Sequence, residues 1–260
     1  MKRASIIVAI LLAVIVVGLF IPVVKSVGTV AARTTCANNL KTLGVALHNY
    51  NSANEKVPFA TALPPTREHS PEKRLSWFYE ITPFLIAHMD PKWVANRKVP
   101  FDDPENWYVT RSNQFASNCP ANPHPGAPYP YTHYVGITGV GKDAAWRPLG
   151  DPDAGFFGYE RVITLADLKR GESNVLAVSE TATDNGPWAK GGPSSARGLD
   201  LNGTDYLGEH GQLNSFHGRN GLNRSAFLTQ VLMADASVRG LTVSISVDAL
   251  ESMARIATRE

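Results

Sequence analysis

"CANNLKTLGVALHNYN", Cys36–Asn51, is the stretch on which the reading of the fold turns. Leu40, Leu43, Leu47 and Tyr50 recur at steps of three, four and three, the period of one helix face. Such a stripe has to be buried, so a helix here implies a body packed against it. Upstream, the 21 residues Ala4–Val24 carry no charge. About 20 apolar helical residues cross the hydrocarbon core of a bilayer, so this run is long enough to span. Lys2 and Arg3 precede it and Lys25 follows. With the amino terminus, positive charge is denser before the run, which orients a span N-in and C-out. A cleaved signal peptide is the rival reading, although its apolar core is shorter, about 7–15 residues. A buried soluble helix is the third. Pro22 can kink the run, but helical spacing resumes with Val27, Val30 and Ala31. One helix is therefore expected from about residue 5 to 52. Residues 1–3 would be cytoplasmic, 4–24 would lie in the inner (cytoplasmic) membrane, and 25–52 would form an amphipathic continuation. Residues 53–260 would form one extracytoplasmic domain.

Bulk composition is globular, with 43% hydrophobic and 18% charged residues and a formal net charge of +2. No basic stripe is present, which argues against nucleic acid as a partner. Cys36 and Cys119 are the two cysteines, with no C-x-x-C spacing. In an exported domain a pair of cysteines tends to bridge. A Cys36–Cys119 disulfide would close a loop of roughly 80 residues and stabilise by about 4 kcal/mol in the chain-entropy model. Two buried thiols that never meet are the alternative.

"NSANEKVP" ends the long helix with polar residues and Pro58. A short helix is expected at Trp77–Met89, interrupted by Pro83. Residues 91–130, rich in Pro, Asn and Trp, read as a long loop region. Strands are expected in "YTHYVGIT" and "NVLAVSE", and "FLTQVLMADASVRGLTV" reads as a hairpin turning at Ala234-Asp235-Ala236. Ser246 caps a final helix, "SVDALESMARIA", with Asp248 and Glu251 near its N-terminal dipole. Helix first and strands later, without βαβ alternation, means α+β with an antiparallel sheet.

Several of these landmarks occur in order with "SWFYEITPFL", "NCP", "GFFGYERVITLADLKRGESNVLAVSE", "PWAKG" and "NSFHG". Together they resemble a planctomycete family of prepilin-like proteins with a domain of unknown function, formerly labelled a solute-binding family. The strongest matches are Cys36–Tyr50 and Arg161–Glu180. The resemblance implies a pilin-like or pseudopilin-like architecture, a long helix bearing a head built on a sheet. It marks Asn39, Leu40, Leu47, Tyr50, Asn174, Glu180, Trp188, His217 and Asp235 as structural signature positions. The chain also departs from the family pattern. "MKRASIIVAILL" lacks the prepilin leader glycine and its following glutamate. Ala236 stands where the family has glycine, which suggests a different turn type. His217 precedes Asp235 by 18 positions, a longer spacing than the family's, which implies an insertion around "RNGLNRSA".

Motifs for chemistry are weak. "GITGVGKD" places Gly136, Gly141 and Lys142 in a phosphate-loop pattern, but Asp143 replaces the Ser or Thr that would hold Mg²⁺, and Pro148 breaks the helix that should follow. "GGPSSARG" offers Ser194 without the strand a nucleophile elbow needs. "DPDAG", with Asp151 and Asp153, resembles the opening of a calcium loop but has no acidic group at its twelfth position. His210, His217 and Asp235 could serve a metal only if the fold brought them together, and their spacing does not demand it. Glu180 and Trp188 are expected to serve a hydrogen bond and a packing anchor. The expectation is a non-enzymatic, membrane-anchored envelope protein without metal or cofactor, active in surface structure, secretion or adhesion. Its partners would be the membrane and copies of itself or a pilus or secretion-type assembly. A solute- or glycan-binding module is the alternative, on the strength of Trp93, Trp107, Tyr129, Tyr131 and Trp146. A hydrolase, metal-assisted or not, is the third class.

Overall fold

A computed structural model of the chain describes residues 2–63, 69–86, 90, 92–113, 116–121, 127–200, 205–208, 211–217 and 227–258. Within residues 2–26 it describes the side chains of Leu12 and Ile15 alone. Helix α1 runs unbroken over Lys2–Asn54. The stripe read from sequence is its buried face: Cys36, Leu40, Leu43, Ala46, Leu47 and Tyr50 are all in the core. Val45, on the opposite side, is exposed. Nearer the N-terminus the pattern reverses, and Leu12, Ile15, Val27 and Val30 are each more than half exposed. Among the described residues no helix is long and apolar enough to cross a membrane. Most side chains of the span expected at residues 4–24 lie outside those described.

Helix α2 (Trp77–Leu85) buries Trp77, Phe78 and Ile81 and carries Pro83 in its last turn. Residues 87–89 of the helix expected there lie outside the described set. Tyr50 of α1 meets Phe84 of α2 edge-to-face, ring centroids 5.9 Å apart. The loop region that follows holds a 3-10 turn (Pro104–Asn106) that leads into the helical turn α3 (Trp107–Thr110).

Five strands, β1 (Tyr134–Val140), β2 (Leu176–Glu180), β3 (Ala196–Leu199), β4 (Leu228–Met233) and β5 (Val238–Thr242), form one sheet in the order β3-β1-β2-β4-β5. The class is α+β, as expected, but the sheet is mixed rather than wholly antiparallel: β1 pairs in parallel with β3. The connection from β2 crosses the end of the sheet and enters the far edge beside β1, in the same direction as β1. Side chains alternate between two cores. Tyr134, Val178 and Leu232 face α1 and α2. Val135, Ile137, Val231 and Met233 face α4 (Val247–Ala254), through Leu250 and Ala254. Ser246 caps α4, its hydroxyl oxygen accepting from the Ala249 N–H at 3.2 Å. Asp248 lies in the first turn of α4, and Glu251 accepts from Tyr206 OH and pairs with Arg255.

The hairpin between β4 and β5 forms where the sequence places it. Ala236 takes φ +61°, the left-handed conformation for which glycine is usually chosen, so the substitution leaves the turn's positive φ in place. Asp235 stabilises the turn by accepting from Ser237 N–H and Oγ–H at 2.9 and 2.6 Å. Helix α1 grips this turn from outside, through Lys41 Nζ on Ala236 O (3.0 Å) and His48 Nε2 on Ala234 O (2.8 Å). Gly44 allows the approach, because a Cβ there would lie 2.8 Å from Ala236 Cβ.

Candidate functional site

Where the buried face of α1 crosses the end of β2, four reactive side chains converge. Cys36 opens the helix stripe one turn before Leu40. Glu180 is the last residue of β2, a strand with neighbours on both sides, and pairs in register with Tyr134 of β1. Cys119 comes from the loop after α3, and His217 from the loop ahead of β4. The two sulfurs and a ring nitrogen of His217 all lie within 4.8 Å of one another. Cys119 Sγ is 3.5 Å from His217 Nε2, and the same nitrogen is 3.2 Å from Glu180 Oε1. None of the four is more than 3% exposed.

Surrounding groups fix the donors in place. The backbone N–H of Gln230, in β4, donates to Glu180 Oε2 at 2.9 Å. The N–H of Cys119 donates to His133 Nδ1 at 2.9 Å, and that of His217 to Ser215 Oγ at 3.1 Å. Asn39, three residues along α1 from Cys36, donates to Tyr134 OH and to the Asn118 carbonyl, at 3.1 and 3.0 Å. Among the described residues His217 Nδ1 has no hydrogen-bond partner, and the ring's contacts there run through Nε2.

The neighbouring Cys36 thiol, and then His217, hold Cys119 down at about 6 against the opposing effect of burial. The same thiol contact, with burial and the Glu180 charge, pushes Cys36 up. Burial pulls His217 down, but Cys119 and Glu180 overcome it and raise the imidazole to about 9. Burial raises the Tyr134 phenol well above its ordinary value. A buried pair of this kind is costly to break on one side only, by about 3–5 kcal/mol.

Of the signature positions, the fold brings Asn39, Glu180 and His217 to Cys36 and Cys119, and leaves others elsewhere. Cys36 and Cys119, expected to bridge, are adjacent and are free thiols here. Leu40, Leu47 and Tyr50 are core positions on α1. Asn174 closes a local turn by donating to Arg170 O at 2.8 Å. Trp188 is fully buried, donates to Ser112 O at 2.9 Å and stacks on Trp93 at 6.1 Å. Asp235 lies past Met233, which pairs with Leu176, and so sits at the opposite end of β2 from Glu180. The insertion "RNGLNRSA" and His210 lie outside the described residues.

The other motifs dissolve into structure. Asp151 and Asp153 are taken up by Arg147 and Arg255, with Arg255 Nε 2.7 Å from Asp153 Oδ1, so "DPDAG" is part of an ion-pair network. Arg147 also pairs with Asp143 beside Gly141, in the loop that resembled a phosphate cradle. Ser194 lies in the turn that leads into β3. Among the loop aromatics, Tyr129 packs on Phe101 and beneath Arg111, which also covers Trp107 at 3.7 Å. Trp146 stands 57% exposed against Tyr159.

Sequence reasoning missed Tyr134, His133 and Gln230 around the cluster, and it missed Arg161 altogether as a polar hub. The Arg161 guanidinium donates to the carbonyls of Ala144, Arg147, Thr138 and Gly155 at 2.7–2.9 Å, and to that of Phe157. Burial lowers its pKa to about 10, which still leaves it charged at neutral pH.

Residues 30–228 match the family model SBP_bac_10, described as "Protein of unknown function (DUF1559)". The match spans Cys36, Cys119, Glu180 and His217 and most of the chain, so the protein belongs to this family. No curated protein and no solved structure matches it.

Proposed function

We propose that the protein is a membrane-anchored envelope component, non-enzymatic, in which a pilin-like head is carried outside the cytoplasmic membrane on the second half of α1. The observation that carries this reading is the change of character along one continuous helix. From Cys36 to Tyr50 its apolar stripe is buried in the head, whereas Leu12, Ile15, Val27 and Val30 are uncovered apolar side chains. An uncovered apolar helix is stable in lipid or against other such helices, and costly in water. At about 1.5 Å per residue, the part of α1 ahead of Cys36 is about 50 Å long, enough for a span and a connecting stem. The burial of Cys36, Cys119, Glu180 and His217 supports a structural head, since a nucleophile needs a path to substrate.

Fractionation of cells expressing the full chain tests the anchor: it should sediment with membranes, and protease added from outside should degrade the head. A chain recovered in the soluble fraction, or a head protected from external protease, overturns the reading. A second reading, an extracytoplasmic solute- or glycan-binding module, is favoured by a cleft of ≈ 430 Å³ bordered by Tyr206, Phe227 and Leu250. A thermal-shift screen of sugars and small solutes that gives no stabilised condition counts against it.

A further inference from the structure

The cluster at the end of β2 has the donors and spacing of a metal centre. Its sulfur-to-nitrogen separation, Cys119 Sγ to His217 Nε2, is 3.5 Å, and both sulfurs and a His217 ring nitrogen lie within 4.8 Å of one another. In a tetrahedral zinc site with Zn–S about 2.3 Å and Zn–N about 2.0 Å, the sulfur-to-nitrogen edge is about 3.5 Å. A protonated Nε2–H shared between the sulfur and the carboxylate is the competing arrangement, and the metal titration distinguishes the two.

Burial points the same way. Two thiols and a carboxylate out of water favour a cation that neutralises them, and zinc-bound cysteines lose their protons on binding. Neighbouring groups already hold these side chains in place. The Gln230 N–H orients Glu180, and the Cys119 backbone is fixed by His133. Cys36 stands on a helix, not on a loop, and Glu180 beside the donors ends a strand.

We propose that a structural Zn²⁺ ion is held by Cys36, Cys119 and His217, with Glu180 beside the site against His217. The ion clamps α1 to the loops carrying Cys119 and His217, joining stem to head. This departs from the sequence reading, which placed a disulfide at Cys36–Cys119 and no metal. The inference is independent of the membrane anchor.

The test uses the full-length chain in detergent, reduced, stripped with chelator and titrated with Co²⁺ as a spectroscopic stand-in for Zn²⁺. The expected result is one equivalent of Co²⁺ with intense tetrahedral ligand-field bands and thiolate charge-transfer absorption, displaced by Zn²⁺. Cys36→Ser and Cys119→Ser should each diminish the charge-transfer band. Glu180→Gln should keep that band and weaken binding on the order of 10–100-fold. Any of these variants could fail to fold, so the wild-type spectrum is decisive by itself. A reduced, folded wild-type chain that shows no thiolate band at stoichiometric Co²⁺ overturns the site. A band unchanged in folded Cys36→Ser and Cys119→Ser chains overturns it as well.

Discussion

Replacing Arg161 with methionine removes a positive charge and five hydrogen bonds while roughly preserving volume. The carbonyls of Thr138 and Ala144 keep backbone donors, Gly155 N–H and Arg147 N–H. Those of Gly155 and Phe157, both buried residues, lose their partner. A buried acceptor left unpaired costs about 1–3 kcal/mol, so the two together cost about 2–6 kcal/mol. Part is recovered because a buried charge no longer needs desolvating and the methionine side chain is apolar. The net expectation is a loss of about 2–4 kcal/mol, or roughly 4–16 °C in Tm for a domain of this size. Arg161→Lys should fall between wild type and Arg161→Met, since a lysine keeps the charge but offers three donors at one point instead of five in a planar array. Urea unfolding followed by tryptophan fluorescence reads the difference directly. An Arg161→Met chain within about 0.5 kcal/mol of wild type would refute the view that this side chain organises the segment from Thr138 to Phe157.

Three further substitutions test the packing and the electrostatics. Gly44→Ala puts a Cβ 2.8 Å from Ala236 Cβ and 2.9 Å from Leu232, and should destabilise by about 1–3 kcal/mol in the same assay. Ala236→Gly relieves a positive φ worth about 1–2 kcal/mol but loses a buried methyl worth about 0.8 kcal/mol and loosens the unfolded chain; a shift within about 0.5 kcal/mol is expected. A gain above about 1.5 kcal/mol would contradict the contact between Ala236 and Gly44. Asp167 is held below its ordinary value by bonds from the Thr164 hydroxyl and N–H in a capping box. Because the folded state lowers this pKa, its stabilisation is present above about pH 4 and disappears as pH falls through the folded value. Urea midpoints of wild type and Asp167→Asn should therefore converge on acidification below pH 4, and a constant gap would contradict the assignment.

The parts of the fold that were legible in the sequence are those fixed by local chemistry. The 3.6-residue stripe from Leu40 to Tyr50 gave the buried face of α1, and Ser246 gave the start of α4. Strand β3 was not legible. "ARGL" is four residues long, follows a Gly-Pro-Ser-rich turn, and owes its extended form to parallel pairing with β1. The same limit hid the cluster. Cys36, Cys119, Glu180 and His217 come from four separate segments, and no spacing rule connects them; only the crossing of α1 over the end of β2 does. Resemblance to the family placed all four in its landmark stretches, Cys119 in "NCP", yet it grouped His217 with Asp235, which the strand register sends to the other end of the sheet. Arg161 was invisible because its partners are main-chain carbonyls, which no sequence pattern records.

The most direct test of the central claim, that the first half of α1 holds the head in a membrane, is alkaline carbonate extraction of membranes containing the full chain. An integral span predicts that the protein stays in the pellet and is released only by detergent. Recovery of the intact chain in the carbonate supernatant would contradict it.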